Sequence, residues 1–269
     1  MKSKEQAIGI FDSGIGGLTV ANAIAKELPN EDFIYFGDTA HLPYGDKSQD
    51  TIRYYSLRIA KFLLDKNCKM VVVACNSAST AANSVLLEFF QDRTHFINVV
   101  DPLVNACVTL KLSKVGIIAT KATISSGVYQ KQLKEKQENL KVHAKATPLF
   151  VPMIEEGFVH NNISQSIIEN YLDDEGFNNM NALLLACTHY PLIKNSIQEY
   201  LGPNIKVLES SEVAAKAVRK TLEENDLLNP KTEKGDHKFY VSDLTESFAQ
   251  TAQHFYGEDI DLNHLALWD

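Results

Sequence analysis

Short runs of branched aliphatic residues alternate along the chain with longer stretches whose apolar positions recur every three to four residues. The runs read as strands and the periodic stretches as amphipathic helices. Ile8–Phe11 predicts a strand, Asp12–Gly17 a tight turn and Leu18–Leu28 a helix. Phe33–Gly37 follows as a strand, Asp38–Asp46 as a loop and Ser48–Lys66 as a helix. Met70–Ala74 is the next strand and Ser79–Phe90 the next helix, with Ala82, Val85, Leu86 and Phe89 forming its buried stripe. Strands and helices alternating at this spacing specify βαβ units and a mostly parallel sheet.

The pattern then restarts. Val115–Gly116–Ile117–Ile118 echoes Ile8–Gly9–Ile10–Phe11 at an offset of 107 residues, and Cys187 echoes Cys75 at an offset of 112. The second echo is a whole phrase. Val71–Val72–Val73–Ala74–Cys75–Asn76 and Leu183–Leu184–Leu185–Ala186–Cys187–Thr188 each run from aliphatics through alanine and cysteine to a small polar residue. Order and spacing kept together argue for a duplicated unit. The expected fold class is therefore α/β, with two similar domains of mostly parallel sheet flanked by helices, related by pseudo-symmetry around an interdomain cleft. The hydrophilic stretch Glu223–Lys238 reads as a surface loop, Phe239–Val241 as a strand and Leu244–Phe255 as a helix. This last piece has no counterpart in the second copy. It is expected to cross back to the first sheet, giving a discontinuous first domain, 1–97 plus 208–269, around a second, 98–207.

Composition narrows the function classes. The 269 residues carry a net charge of −8, which argues against nucleic acid as a partner. The sole concentrated basic stretch, Lys131–Lys141, alternates signs and reads as a solvated helix face. Met1–Ala7 is polar and leads straight into a strand, and no apolar stretch approaches membrane-spanning length, so no leader, no membrane partner and a cytoplasmic location are expected. The four cysteines show no CxxC pair and no disulfide framework. Cys68 and Cys107 suit the ordinary role of small buried hydrophobes. Cys75 and Cys187 differ from them, because both stand at the carboxyl ends of buried strands, where open α/β sheets place their ligands.

Two thiols at one ligand could form a disulfide if their Cα atoms come within roughly 7 Å. A zinc site needs more ligands than the nearby His189 supplies, and a lone nucleophilic cysteine needs no second thiol. Opposed thiols also suit symmetric proton exchange at carbon, one thiolate removing a proton from one face while the other thiol protonates the opposite face. An ordinary thiol, of pKa about 8.5, is mostly protonated at neutral pH. Helix N-termini after each strand would stabilise the anion. His189 beside Cys187, and Asp12 at the end of the first strand, could relay protons. The glycines of Asp12–Gly17 do not match a nucleotide-binding spacing and lack a P-loop lysine, but such a turn can present backbone N–H groups to a carboxylate. Pro43–Tyr44–Gly45 offers a second turn.

Taken together, these residues resemble the cofactor-independent glutamate racemase family. The resemblance covers nearly the whole chain: Gly9–Val20, Asp38 with Pro43–Tyr44–Gly45, Ala74–Cys75–Asn76, Thr120 and Thr123, Val151–Pro152 with Glu155, and Ala186–Pro191. It implies interconversion of L- and D-glutamate, a supply of D-glutamate for peptidoglycan, no pyridoxal phosphate or metal, and a homodimer. It also implies that Cys75 deprotonates D-glutamate and Cys187 L-glutamate, with Asp12, His189 and Glu155 assisting. Substrate contacts would come from Asp12, Ser13, Tyr44, Gly45, Asn76, Ser77, Thr120, Thr123, Thr188 and His189. One departure stands out: the family usually has Asn-Thr after the first cysteine, and this chain has Asn76–Ser77, which keeps the hydroxyl and the backbone N–H. A racemase of aspartate or another acidic amino acid is an alternative, since one methylene alters specificity only modestly. An inactive amino-acid-binding module is an alternative of another class.

Overall fold

The computed structural model describes residues 2–268. The strands are β1 (Ile8–Asp12), β2 (Phe33–Gly37), β3 (Met70–Val73), β4 (His95–Asn98), β5 (Lys114–Ala119), β6 (Lys141–Ala146), β7 (Ala182–Ala186), β8 (Lys206–Glu209), β9 (His237–Val241) and β10 (Leu262–His264). The first-half helices are α1 (Leu18–Glu27), α2 (Gln49–Asp65), α3 (Asn76–Phe90) and α4 (Val100–Thr109). They continue with α5 (Lys121–Ser126), α6 (Val128–Lys136), α7 (Phe150–Glu155), α8 (Asn162–Leu172), α9 (Lys194–Leu201), α10 (Ser210–Glu224) and α11 (Glu246–Tyr256).

All strand pairings are parallel, in two sheets ordered β10-β9-β2-β1-β3-β4 and β6-β5-β7-β8. The strands β1, β3 and β7 are buried at every residue, as expected of central strands covered on both faces. The second sheet repeats the order β2-β1-β3-β4 of the first. The two similar parallel-sheet halves expected from the repeats are therefore present, and β3 and β7 are equivalent strands. In each sheet the strand order reverses at its first strand, leaving a ligand crevice between the carboxyl ends of β1 and β3 and of β5 and β7. Asp12 and Cys75 flank the first crevice; Thr120 and Cys187 flank the second. The late strands β9 and β10 extend the first sheet beyond β2. An apolar cluster spans both halves, from Ile10 and Val72 through Ile118 and Leu185 to Ala214 and Val218 of α10.

Local differences from the sequence reading have physical causes. The α3 helix begins at Asn76 rather than Ser79, because the Cys75 Sγ caps it by accepting from the Ala78 N–H at 3.4 Å. The helix thus starts at the residue after the cysteine, which itself keeps an extended backbone as the N-cap. The stretch Lys131–Lys141 is not one helix face: α6 stops at Lys136, and Lys141 opens β6, an edge strand paired with β5. The stretch 223–238 is a loop only between the end of α10 at Glu224 and the start of β9 at His237. The sequence reading also missed the short edge strands β4 and β10, which lack the long apolar run that marks a central strand.

Candidate active site

The turn after β1 carries the first half toward the second. Asp12 is fully buried and accepts from the Gly14 N–H at 3.0 Å. A Cβ on Gly16 would lie 2.4 Å from the His189 ring and 2.6 Å from Thr188 Oγ1, so only glycine permits this approach. The Thr19 hydroxyl donates to the Thr188 carbonyl at 3.0 Å and ties the halves together at the same place. A second close approach brings Gly45 against Thr120, where a Cβ would be 2.9 Å from the threonine's own.

Between these contacts lies a cleft of about 200 Å³. Cys75 and Cys187 both line it, each 5% exposed. On the first side the Cys75 Sγ donates to Ser13 Oγ at 3.6 Å. Burial, then the charge of Asp12, push the Cys75 thiol up to about 12 against the weaker help of the Ala78 N–H and Ser13. Burial also raises the Asp12 carboxyl, opposed by the charge of His189 and by backbone N–H groups of the turn. On the second side Cys187 Sγ lies 3.9 Å from His189 Nδ1, and His189 Nε2 lies 2.9 Å from Glu155 Oε1. Burial works against a charged imidazole there, but the hydrogen bonds and charges of Cys187 and Glu155 outweigh it and lift His189 to about 10. The Phe255 ring, 5.0 Å away and edge-on, closes off that imidazole. Such a pair of thiols, one beside a carboxylate and one beside an imidazolium, can exchange protons with a carbon held between them.

A model of the Asp/Glu/Hydantoin racemase family matches residues 14–218, the span that contains both cysteines. The chain belongs to that family. The chain is 42% identical over 253 residues to the glutamate racemase of Geobacter metallireducens, covering 94% of this chain and 93% of the relative. Its fold superposes on the glutamate racemase of Francisella tularensis subsp. tularensis SCHU S4 in complex with D-glutamate with a TM-score of 0.92 at 39% identity, over 98% of this chain and 99% of that one. The Thermus thermophilus glutamate racemase in complex with β-chloro-D-alanine gives a TM-score of 0.90 at 39% identity, over 99% of both chains. The resemblance read from the sequence is thus to the right family.

Of the racemase residues expected at the site, Ser13, Tyr44, Gly45, Asn76, Ser77, Thr120, Glu155, Thr188 and His189 line the cleft with the two cysteines. Asp12 and Thr123 stand one layer behind. Thr188 Oγ1 donates to Asp12 Oδ1 at 3.5 Å. The Thr123 hydroxyl lies 3.1 Å from that of Thr120 and 3.3 Å from that of Ser77, so it steadies those two. The Ser77 and Thr120 hydroxyls, 2.9 Å apart, bridge the halves. The Tyr44 hydroxyl donates to Asp38 Oδ2 at 2.6 Å. Asp38, fully buried, also accepts from Ser242 Oγ and Trp268 Nε1, each at 2.8 Å, and so anchors the Tyr44 loop. Glu156, beside Glu155, points to solvent.

The helix N-termini expected after both strands occur on one side only: α3 starts at once after Cys75, whereas Cys187 is followed by His189 and a four-residue 3-10 turn, Tyr190–Ile193. The sequence reading missed Thr147, which lines the cleft with its hydroxyl 2.6 Å from that of Tyr190, and Tyr129, whose hydroxyl donates to Asn76 Oδ1 at 2.6 Å. Both depend on partners 43 or more residues away, a distance at which no local pattern informs. Among the described residues no group of three or more His, Cys, Asp or Glu is set to hold a metal ion, and no helix is long and apolar enough to cross a membrane.

Proposed function

We propose that this racemase interconverts L- and D-glutamate by a two-thiol mechanism. With L-glutamate bound, the Cys187 thiolate takes the Cα proton and the Cys75 thiol delivers its own proton to the opposite face; the reverse reaction exchanges the roles. One C–H bond breaks, one forms, and the charge moves from one sulfur to the other. The observation that carries this reading is the placement of Cys75 and Cys187 after equivalent strands on one small cleft. The glutamate assignment is supported by the relatives, one of them in complex with D-glutamate. His189 and Glu155 assist Cys187, and Asp12 assists Cys75. The hydrogen bond to His189 favours Glu155 over its exposed neighbour Glu156 for that role. The cleft residues named above hold the substrate, with the N–H groups of the first turn of α3 suited to a carboxylate.

The scheme calls for no cofactor, and neither pyridoxal phosphate nor metal enters it. The two halves, 1–97 plus 208–269 and 98–207, each contribute one thiol. The expected setting is a cytoplasmic homodimer that supplies D-glutamate for peptidoglycan.

Deuterium wash-in at Cα, followed by NMR from each enantiomer, tests the reading. Wild type should exchange and invert both enantiomers. Cys75→Ala and Cys187→Ala should each abolish inversion while folding normally. Full turnover by either single variant would overturn the two-thiol scheme. Circular dichroism on L-aspartate decides between the glutamate and aspartate readings, and glutamate binding without any α-exchange would leave a binding module.

A further inference from the structure

Strands β9 and β10 have no counterpart in the second sheet. They extend the first sheet beyond β2, whereas β6, which holds the place of β2 in the second sheet, is an edge. The loop after each of these two strands walls the cleft: Leu42–Asp46 after β2, and Thr147 with Pro148 after β6. Thr147 is held from within its own half, its hydroxyl 2.6 Å from that of Tyr190. The loop after β2 is held by the added piece. Fully buried Asp38 takes the Tyr44 hydroxyl on Oδ2, and its Oδ1 accepts from Ser242 Oγ after β9 and from Trp268 Nε1 after β10, each at 2.8 Å. An indole N–H only donates, so the sense of the Trp268 bond is fixed.

The Trp268 ring is itself seated. It packs edge-on against His41 and Tyr55, with centroids 4.6 and 5.1 Å away. Arg58 lies over it at 5.5 Å and donates to the Leu267 carbonyl at 3.0 Å. Beside Tyr44, Gly45 packs closely against Thr120 of the second half, so a restraint on Tyr44 is a restraint on the wall where the halves meet.

We propose that Trp268 is a positioning residue: through Asp38 it holds Tyr44 and Gly45 in place on the cleft wall, so that the substrate meets a preformed site. A site organised in advance spares the substrate the cost of ordering it. The proposal rests on the reading of this cleft as the site for an acidic amino acid. It gives the piece without a counterpart a task, that of bracing the loop after β2.

The test is a double-mutant cycle of Trp268→Phe and Tyr44→Phe, with racemisation followed by circular dichroism. Trp268→Phe keeps an aromatic ring and removes the N–H. Loss of one hydrogen bond corresponds to about a tenfold effect, so KM should rise about tenfold while kcat stays within about threefold. In the Tyr44→Phe background, where the loop is already released from Asp38, the same change should have no further effect on KM. A merely structural Trp268 would lower the melting temperature and leave KM unchanged; that result, or effects that multiply, would overturn the proposal. The wild type gives a second measurement that does not depend on how a variant folds. Trp268 is the sole tryptophan, so tryptophan emission reports this one indole. Coupling between two sites is reciprocal, so glutamate added to saturation should change that emission with its midpoint at KM. An emission that saturating glutamate leaves unchanged would overturn the proposal. Wild-type turnover separates the two levels. If it acts on aspartate and not glutamate, the glutamate assignment fails while the cycle and the emission are read on aspartate.

Discussion

Cys75 and Cys187 follow equivalent strands in two sheets of the same order, but the charges around them differ in sign. Cys75 caps a fifteen-residue helix and has buried Asp12 as a neighbour, which together with burial keeps it protonated up to about pH 12. Cys187 is separated from α9 by a 3-10 turn and has beside it His189, an imidazolium up to about pH 10, backed by Glu155. Duplication supplied two thiols on one cleft. Divergence of the residues around each strand end supplied the polarity, a buried carboxyl beside one thiol and an imidazolium beside the other. In the proposed two-thiol scheme one sulfur carries a proton at rest, and burial together with the charge of Asp12 favours Cys75 for it.

The hardest test of this contrast is His189→Asn. It removes the counter-charge 3.9 Å from Cys187. Positioned acid–base groups contribute typically 10²- to 10⁴-fold, and a loss of about 10²-fold or more in kcat/KM is expected. The loss must be equal for both enantiomers, because their equilibrium constant is one. The asymmetry shows instead in labelling: iodoacetamide at neutral pH should modify Cys187 faster than Cys75 in the wild type, and His189→Asn should slow Cys187 alone. Faster modification of Cys75 in the wild type would reverse the assignment of the resting charge.

Much of this architecture was legible because it rests on local patterns. The apolar phrases ending in Cys75 and Cys187 marked β3 and β7, and their repetition marked the duplication. What escaped notice depends on contacts far apart in sequence or on residue types with weak signals. Cysteine is not a usual N-cap, and Asn76–Ser77–Ala78–Ser79 shows no apolar periodicity, so the first turn of α3 was invisible. Edge strand β6, Lys141–Ala146, buries none of its residues fully and lacks the run that betrays a central strand. The anchoring of Asp38 by Trp268, 230 residues away, left no local trace.

A milder perturbation acts on the other sulfur. The charge of Asp12 is, after burial, a cause of the raised Cys75 pKa. Asp12→Asn should lower that pKa. A fall of about one unit would speed alkylation of Cys75 about tenfold at fixed pH. Cys187 should be labelled as before, and racemisation should fall because Asp12 also accepts from Thr188. An unchanged labelling rate at Cys75 would remove Asp12 from the electrostatic account.

Stability against pH offers a readout without turnover. His189 is raised from 6.5 to about 10, so the folded protein holds that proton more tightly than the unfolded chain. Its contribution is complete below about pH 6.5 and is lost as pH rises through about 10. His237 is lowered and has finished titrating in both states above neutrality. The buried thiols raised to about 11 or 12 begin to matter only near and above their unfolded pKa of 9.0. Burial lowers Lys2 and Lys69 toward the same window, so the His189 part of the slope is isolated by the difference in melting temperature between variants that do and do not touch the imidazole. Cys187→Ala and Glu155→Gln should both flatten it by removing partners of the imidazole, whereas Cys75→Ala should leave it as it is. An equal response to both cysteine variants would mean that the two sides are electrostatically alike.

The smallest effect is expected where neither thiol is involved. Lys121 and Asp46 meet at 3.3 Å on the cleft mouth, one from each half, with both side chains 60% exposed. An exposed pair of this kind contributes about 0–1 kcal/mol and is screened by salt. Lys121→Gln should shift the melting temperature by no more than a few degrees, on the scale of about 2–4 °C per kcal/mol for a chain of this size. Labelling of Cys75 and Cys187 should be unchanged, because charges this exposed are screened by solvent and salt. A change in the labelling ratio would show that charge at the mouth reaches the sulfurs, and would place part of the polarity of the cleft in its rim rather than in the residues that follow β1, β3 and β7.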